Sequence, residues 1–233
     1  MDILIEALTD AIRLLGSLDA ELLRVVGLTL RVTGSALLLA MITGIPIGAI
    51  LGLKRRIPVG GCLVPLIYTG MGLPPVVVGL MVYLVLSNQG PLGDWRWLFT
   101  PTAMVAAQAV IALPLVVGLT LTAVQAIDPA LHLQIRALGA TQWQLTWTIL
   151  AEARLGLFAA IVAAFGGIIS EVGAVMLVGG NIEGETRVLT TAIVLETRKG
   201  NFALALALGI ILLILAFIAN LALHRLQGGR RGN

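Results

Sequence analysis

One carboxylate lies within an otherwise apolar stretch: Glu171, in Ser170-Glu171-Val172-Gly173, with Ile168-Ile169 before it and Ala174-Val175-Met176-Leu177-Val178 after it. An ionisable group in hydrocarbon is costly and is a functional candidate by default. Two roles are open to it, structural pairing with a polar neighbour or a part in transport. Ser170 offers a hydroxyl beside it. A second feature is Gly72-Leu73-Pro74-Pro75, in the middle of another apolar run. Prolines remove backbone donors and free carbonyls, so a break there predicts a segment facing protein or a polar path. Pro74, Pro75, Ser170 and Glu171 are therefore the candidates for a translocation path or gate. Pro65 and Pro114 read as packing kinks.

The chemistry that is missing narrows the field. No Gly-x-x-x-x-Gly-Lys-Ser/Thr occurs, and neither Lys54 nor Lys199 follows a glycine. No His-Glu-x-x-His and no Gly-x-Ser-x-Gly is present. His132 and His224 are far apart and read as solvated or interfacial, and the lone Cys62 has no partner for a disulfide or a cysteine metal site. The sequence thus predicts no cofactor, no metal and no enzymatic activity. If the chain pumps, another subunit must supply the energy.

A third feature is a polar segment that could be gripped from outside. Asp128–Gly156 is too polar to cross a bilayer. Asp128 can cap a helix with Pro129 at its first position, and Gly139 suits its end. Thr141 with Gln144 has the form of a capping box, after which Trp143, Trp147 and Leu150 share one face of a second short helix. Leu131, Ile135 and Leu138, at helical spacing on the first, form a candidate apolar knob.

The elements that must position these residues follow from composition. The chain is 58% hydrophobic and 12% charged, whereas soluble domains carry about 25% charged residues. This predicts an all-α integral membrane protein. Five apolar runs, about 25–53, 61–86, 101–125, 157–178 and 202–226, are long enough to cross hydrocarbon about 30 Å thick. Gly44, Pro46 and Gly48 read as loosening the first run, and the last reads as a plain packing helix. Residues 1–20 lack the positive start of a signal peptide. Their polar stripe predicts an N-terminal interfacial helix. The polar, glycine-rich Gly179–Arg187 reads as an exposed outer loop. The net charge of +3 does not point to nucleic acid, because the basic residues are scattered at span ends. Lys54, Arg55, Arg56, Arg136, Arg154, Arg225, Arg230 and Arg231 share one side, which the positive-inside rule makes cytoplasmic, with six basic residues opposite. That places the N-terminus outside and the C-terminus, with Asp128–Gly156, in the cytoplasm.

Arg136-Ala137-Leu138-Gly139-Ala140 resembles the cytoplasmic coupling motif of ABC importer permeases, with Leu133-Gln134-Ile135 where Glu-Ala-Ala is usual and Ala151-Glu152 where Leu-Pro is usual. Gly72–Leu80, Gly90-Pro91-Leu92-Gly93, Ser170–Ile182, Thr186–Ile193 and Glu196–Gly200 resemble the tungstate-type permease subunits, relatives of the molybdate and sulfate permeases. The resemblance implies a type I ABC importer-like permease in a bacterial or archaeal plasma membrane. It also implies a homodimer with two ABC ATPase subunits and a periplasmic or extracellular substrate-binding protein. ATPase coupling would fall to Leu131, Ile135, Arg136, Ala137, Leu138, Gly139 and Ala140. The cargo would be an oxyanion, with tungstate first. Molybdate, sulfate or another small solute remain as alternatives, as does a stand-alone secondary transporter.

Overall fold

The computed structural model describes residues 5, 9, 12, 13, 16, 20–54 and 60–228. The interfacial helix over 1–20 lies, apart from scattered positions, outside the described residues, as do Arg55, Arg56, Arg230 and Arg231. The described residues form ten α-helices: α1 (Ala20–Leu53), α2 (Gly60–Met71), α3 (Pro75–Leu86), α4 (Pro101–Gln125), α5 (Pro129–Ala137), α6 (Gln142–Glu152), α7 (Arg154–Ile169), α8 (Gly173–Gly179), α9 (Leu189–Arg198) and α10 (Phe202–Gly228). No strand occurs among them.

α1, α4 and α10 are long and apolar enough to cross a bilayer singly. α2 with α3 and α6 with α7 pass the same test of length and composition only as bent pairs, turned by 102° and 68° at their breaks, so the described helices supply three spans, or up to five where a bent pair counts as one. α4 is the hub, touching α1, α2, α3, α7 and α8. Its seam with α1 is the most extensive in the protein, and glycine makes it so. A Cβ on Gly48 would stand 2.6 Å from the Val117 carbonyl oxygen, and one on Gly52 would stand 2.8 Å from Val124 Cβ. Gly44, Gly48 and Gly52, four residues apart, thus let the two backbones close. That close approach supplies the van der Waals contact which drives helix association where lipid removes the hydrophobic difference. The sequence reading of Gly44, Pro46 and Gly48 as a loosening is corrected accordingly: α1 is one continuous helix, and its glycines tighten it against α4.

The fourth span also departs from expectation. Its helix begins at Arg154 and stops at Ile169, not near residue 178. Ser170 turns its hydroxyl onto the Gly166 and Gly167 carbonyls (2.9 and 3.3 Å), and a new helix, α8, starts at Gly173. After it, Leu189–Arg198 forms α9, a helix absent from the sequence reading. α9 packs Leu189 and Ala192 against Leu22 of α1 and Leu208 and Ile211 of α10.

Candidate functional site

The helices that follow the two breaks, α3 and α8, pack against each other. Pro74, exposed, holds extended backbone (φ −61°, ψ 122°) at the N-cap of α3, and Pro75 takes the first helical position, where no donor is needed. α3 then lies against α8. A Cβ on Gly79 would stand 2.5 Å from Ala174 Cα, and one on Gly173 would stand 2.5 Å from Val76 Cγ2. Glu171 is buried, and its Oε1 accepts the Ala174 backbone N–H (2.9 Å). The carboxylate therefore caps the first turn of α8, where an anion is favoured by the helix dipole and by donors without carbonyl partners. Ser170 beside it is exposed. Among the described residues no lysine or arginine pairs with Glu171. Its polar partner in the structure is a backbone amide, the N–H of Ala174. The physical reason is that an N–H at a helix start needs an acceptor, and no side chain of Val172 can serve.

Two residues that support this break were not singled out from sequence. Gln108, buried in α4, donates from Nε2 to the Ile168 carbonyl (2.9 Å), which also accepts the backbone N–H groups of Ser170 and Glu171 where α7 ends. Thr190 of α9 donates its hydroxyl to the Glu171 carbonyl (3.1 Å). Gln108 was legible, as a lone amide in an apolar span, but its partner lies 60 residues away. The 179–187 loop is more ordered than a polar, glycine-rich stretch suggests. Thr186 is buried, donates to the Gly179 carbonyl (2.6 Å) and accepts the Ile182 N–H (2.9 Å).

The polar helix pair folds as its caps require. Asp128 accepts the Ala130 N–H (2.8 Å), and Leu138 closes α5 ahead of Gly139 at φ +80°, a conformation open to glycine without strain. Thr141 accepts the Gln144 N–H (3.3 Å) while Gln144 accepts the Thr141 N–H (2.8 Å), a complete capping box. The three-residue knob, however, is divided. Leu131 and Ile135 are half-buried, packed on the cluster of Val124, Leu145, Ile149 and Ala153. Leu138 is 86% exposed and Leu133 69% exposed. A helix this short must bury one stripe to hold its place, and 131 and 135 supply it; Leu138 stands at the cap, beyond that stripe. Arg136, Ala137 and Gly139 are also exposed, and Ala140 is half-buried. The surface offered outward is thus Leu133, Arg136, Ala137, Leu138 and Gly139.

The two sites are not in contact. They lie toward opposite ends of α7, whose 16 residues span about 24 Å. α6 joins its Arg154 end, and the Ser170–Val172 break follows its Ile169 end.

A profile of the family described as binding-protein-dependent transport system inner membrane component matches residues 44–231. The chain belongs to this family. It is 43% identical to a probable anion ABC transporter permease protein of Haloferax volcanii, over 88% of this chain and 91% of the other. It is 37% identical to the tungstate uptake system permease protein of Peptoclostridium acidaminophilum, over 97% of this chain and 99% of that one. To the molybdenum transport system permease protein of Escherichia coli K12 it is 31% identical, over 82% and 87%. Among solved structures, it resembles a bacterial ABC transporter that imports the acidic polysaccharide alginate (TM-score 0.67, 20% identity, 91% of this chain and 81% of that one). It also resembles an amino acid ABC transporter solved with histidines (TM-score 0.58, 20% identity, 87% and 88%). At such identity the likeness is one of fold, that of type I ABC importer permeases. As a member of this family the chain is a multi-pass membrane protein and a transport component, not an enzyme.

Proposed function

We propose that this chain is the membrane-spanning permease subunit of an ATP-driven importer and forms the translocation path for an oxyanion, tungstate or a close relative. It works as a homodimer with two ABC ATPase subunits at its cytoplasmic face and a substrate-binding protein outside, the N-terminus lying outside and the C-terminus in the cytoplasm. The observation that carries this reading is the arrangement along α7. One end joins the exposed Leu133–Gly139 surface through α6, and the other ends at the Glu171 break, which packs against the Pro74-Pro75 helix start through α3 and α8. Leu133, Arg136, Ala137, Leu138 and Gly139 make the ATPase contact. Leu131, Ile135 and Ala140 support it from behind. Closure of the ATPases moves α5 and α6 together, and α7 carries that displacement to the gate at Pro74, Pro75, Ser170 and Glu171.

The choice of tungstate is supported by the identity to a tungstate uptake permease over nearly the full length of both chains. No lysine or arginine lies in the middle of the long spans to retain a dianion, which suits passage more than storage. The test is reconstitution of the permease with its ATPase and binding protein, measuring uptake of tungstate, molybdate and sulfate in competition. Tungstate uptake that hydrolyses ATP and is displaced least by sulfate is the expected result. Purification without a P-loop ATPase partner, or uptake that ignores ATP, overturns the proposal.

A further inference from the structure

Outside the break and the coupling surface, one polar cleft has no assigned role. The first turns of α1, the start of α4 and the 183–187 loop border an open cleft of about 670 Å³, lined by Arg24, Arg31 and Arg187 together with Glu21, Glu183 and Glu185. Formally the six charges cancel, but they are not evenly matched. Arg187 Nη1 stands 3.7 Å from Glu21 and 3.3 Å from Glu183, so two carboxylates serve one guanidinium. Among the described residues Arg24 and Arg31 have no ion-pair partner. They lie seven positions apart on an exposed stripe of α1, a rise of about 10 Å that two long side chains can close upon one ligand. The Nε–H of Arg187 is buried and makes no hydrogen bond.

We propose that this cleft is an anion site for a tetrahedral oxyanion, held by Arg24 and Arg31 with Arg187 fixed in place by Glu21 and Glu183. Guanidinium forks match the paired oxygens of such an anion, and several donors on rigid elements favour it over a spherical halide. The cleft lies at the end of α1 away from the coupling surface, which under the proposed orientation is the outer mouth of the permease. The inference rests on that reading for its place in transport, since an importer needs a station where the oxyanion exchanges water for protein before entering the path. The same chemistry is offered by the phosphate of an anionic lipid.

The test uses the full permease–ATPase complex in phosphatidylcholine nanodiscs, titrated with sodium tungstate by calorimetry. Saturable binding is expected, weakened about tenfold or more for each of Arg24→Gln and Arg31→Gln, as befits loss of one charge-assisted contact. Glu185→Gln, which removes a competing carboxylate, tightens binding. That opposite sign keeps the test decisive should the arginine variants fail to assemble. If tungstate does not bind but phosphatidylglycerol raises the Tm of the complex in a manner that Arg24→Gln/Arg31→Gln abolishes, the occupant is the lipid phosphate and the site still stands. Anion binding indifferent to all three substitutions, with no effect of phosphatidylglycerol, overturns it. Failure of the tungstate assignment looks different: Arg-dependent oxyanion binding persists while the wild-type complex transports no tungstate.

Discussion

Replacing Glu171 separates a helix cap from a charged gate. Its carboxylate is the side-chain acceptor for the Ala174 N–H at 2.9 Å and is buried, while α8 is only seven residues long and has no side-chain bond from its N-cap residue. A hydrogen bond to a charged group contributes about 1.5–3 kcal/mol, and a neutral one about 0.5–1.5 kcal/mol. Glu171→Ala removes the acceptor and leaves a buried donor, so it costs about 2–3 kcal/mol. Glu171→Gln keeps an oxygen in place and loses only the charge-assisted part, about 1 kcal/mol. For a chain of this length each kcal/mol lowers Tm by about 2–4 °C, which gives drops of roughly 4–12 °C for Ala and 2–4 °C for Gln. Thermal unfolding of the purified complex, followed by tryptophan fluorescence, reads both, and oxyanion uptake in proteoliposomes reads function. If Glu171 acts by holding α8 against α3, Gln keeps uptake within about twofold of wild type. A Gln variant as unstable as Ala, or one of normal stability whose uptake falls tenfold or more, refutes the capping argument.

Other substitutions test other joints. Gly48→Leu drives a side chain into Val117 and Thr120 at a position where even a Cβ stands 2.6–2.7 Å from them; it should destabilise by at least about 1–3 kcal/mol through overpacking and lower the yield of folded protein, seen as loss of a monodisperse elution peak. Leu138→Asp, at a site 86% exposed, should leave Tm within about 1 °C and yet reduce co-purification of the ATPase and substrate-stimulated hydrolysis. Glu196 lies in the α9–α10 corner, where hydrogen bonds from Asn201 and then Lys199 hold its carboxyl below the ordinary 4.5. A depressed folded value means its stabilisation is complete above the unfolded pKa and is lost as pH falls below 4.5 through the folded one. Tm measured on acidification should therefore fall less steeply in Glu196→Gln than in wild type, and parallel curves would count against the pair.

Much of this protein could be read from residue order because the controlling forces are local. Asp128, Pro129, Gly139 and the Thr141/Gln144 box bound two short helices by supplying partners to their own neighbouring backbone groups, and the structure has those caps. Apolar runs of sufficient length marked the spans, because backbone polar groups in hydrocarbon must be satisfied within the segment. The Pro74-Pro75 break was likewise visible, since its cause is the missing donor of proline. What the tertiary structure alone decided depends on contacts between distant segments. Whether Gly44, Gly48 and Gly52 loosen or tighten a helix is settled by α4 lying against them. Which leucines of α5 face outward is settled by the Val124–Leu145–Ile149–Ala153 cluster that takes Leu131 and Ile135. The partner of Glu171 is an amide three residues on, at the start of α8 beyond the end of α7, where Gln108 and Ser170 donate to the last carbonyls. Periodicity places a side chain on a face of its own helix, but the neighbour that face meets is set by packing across the fold.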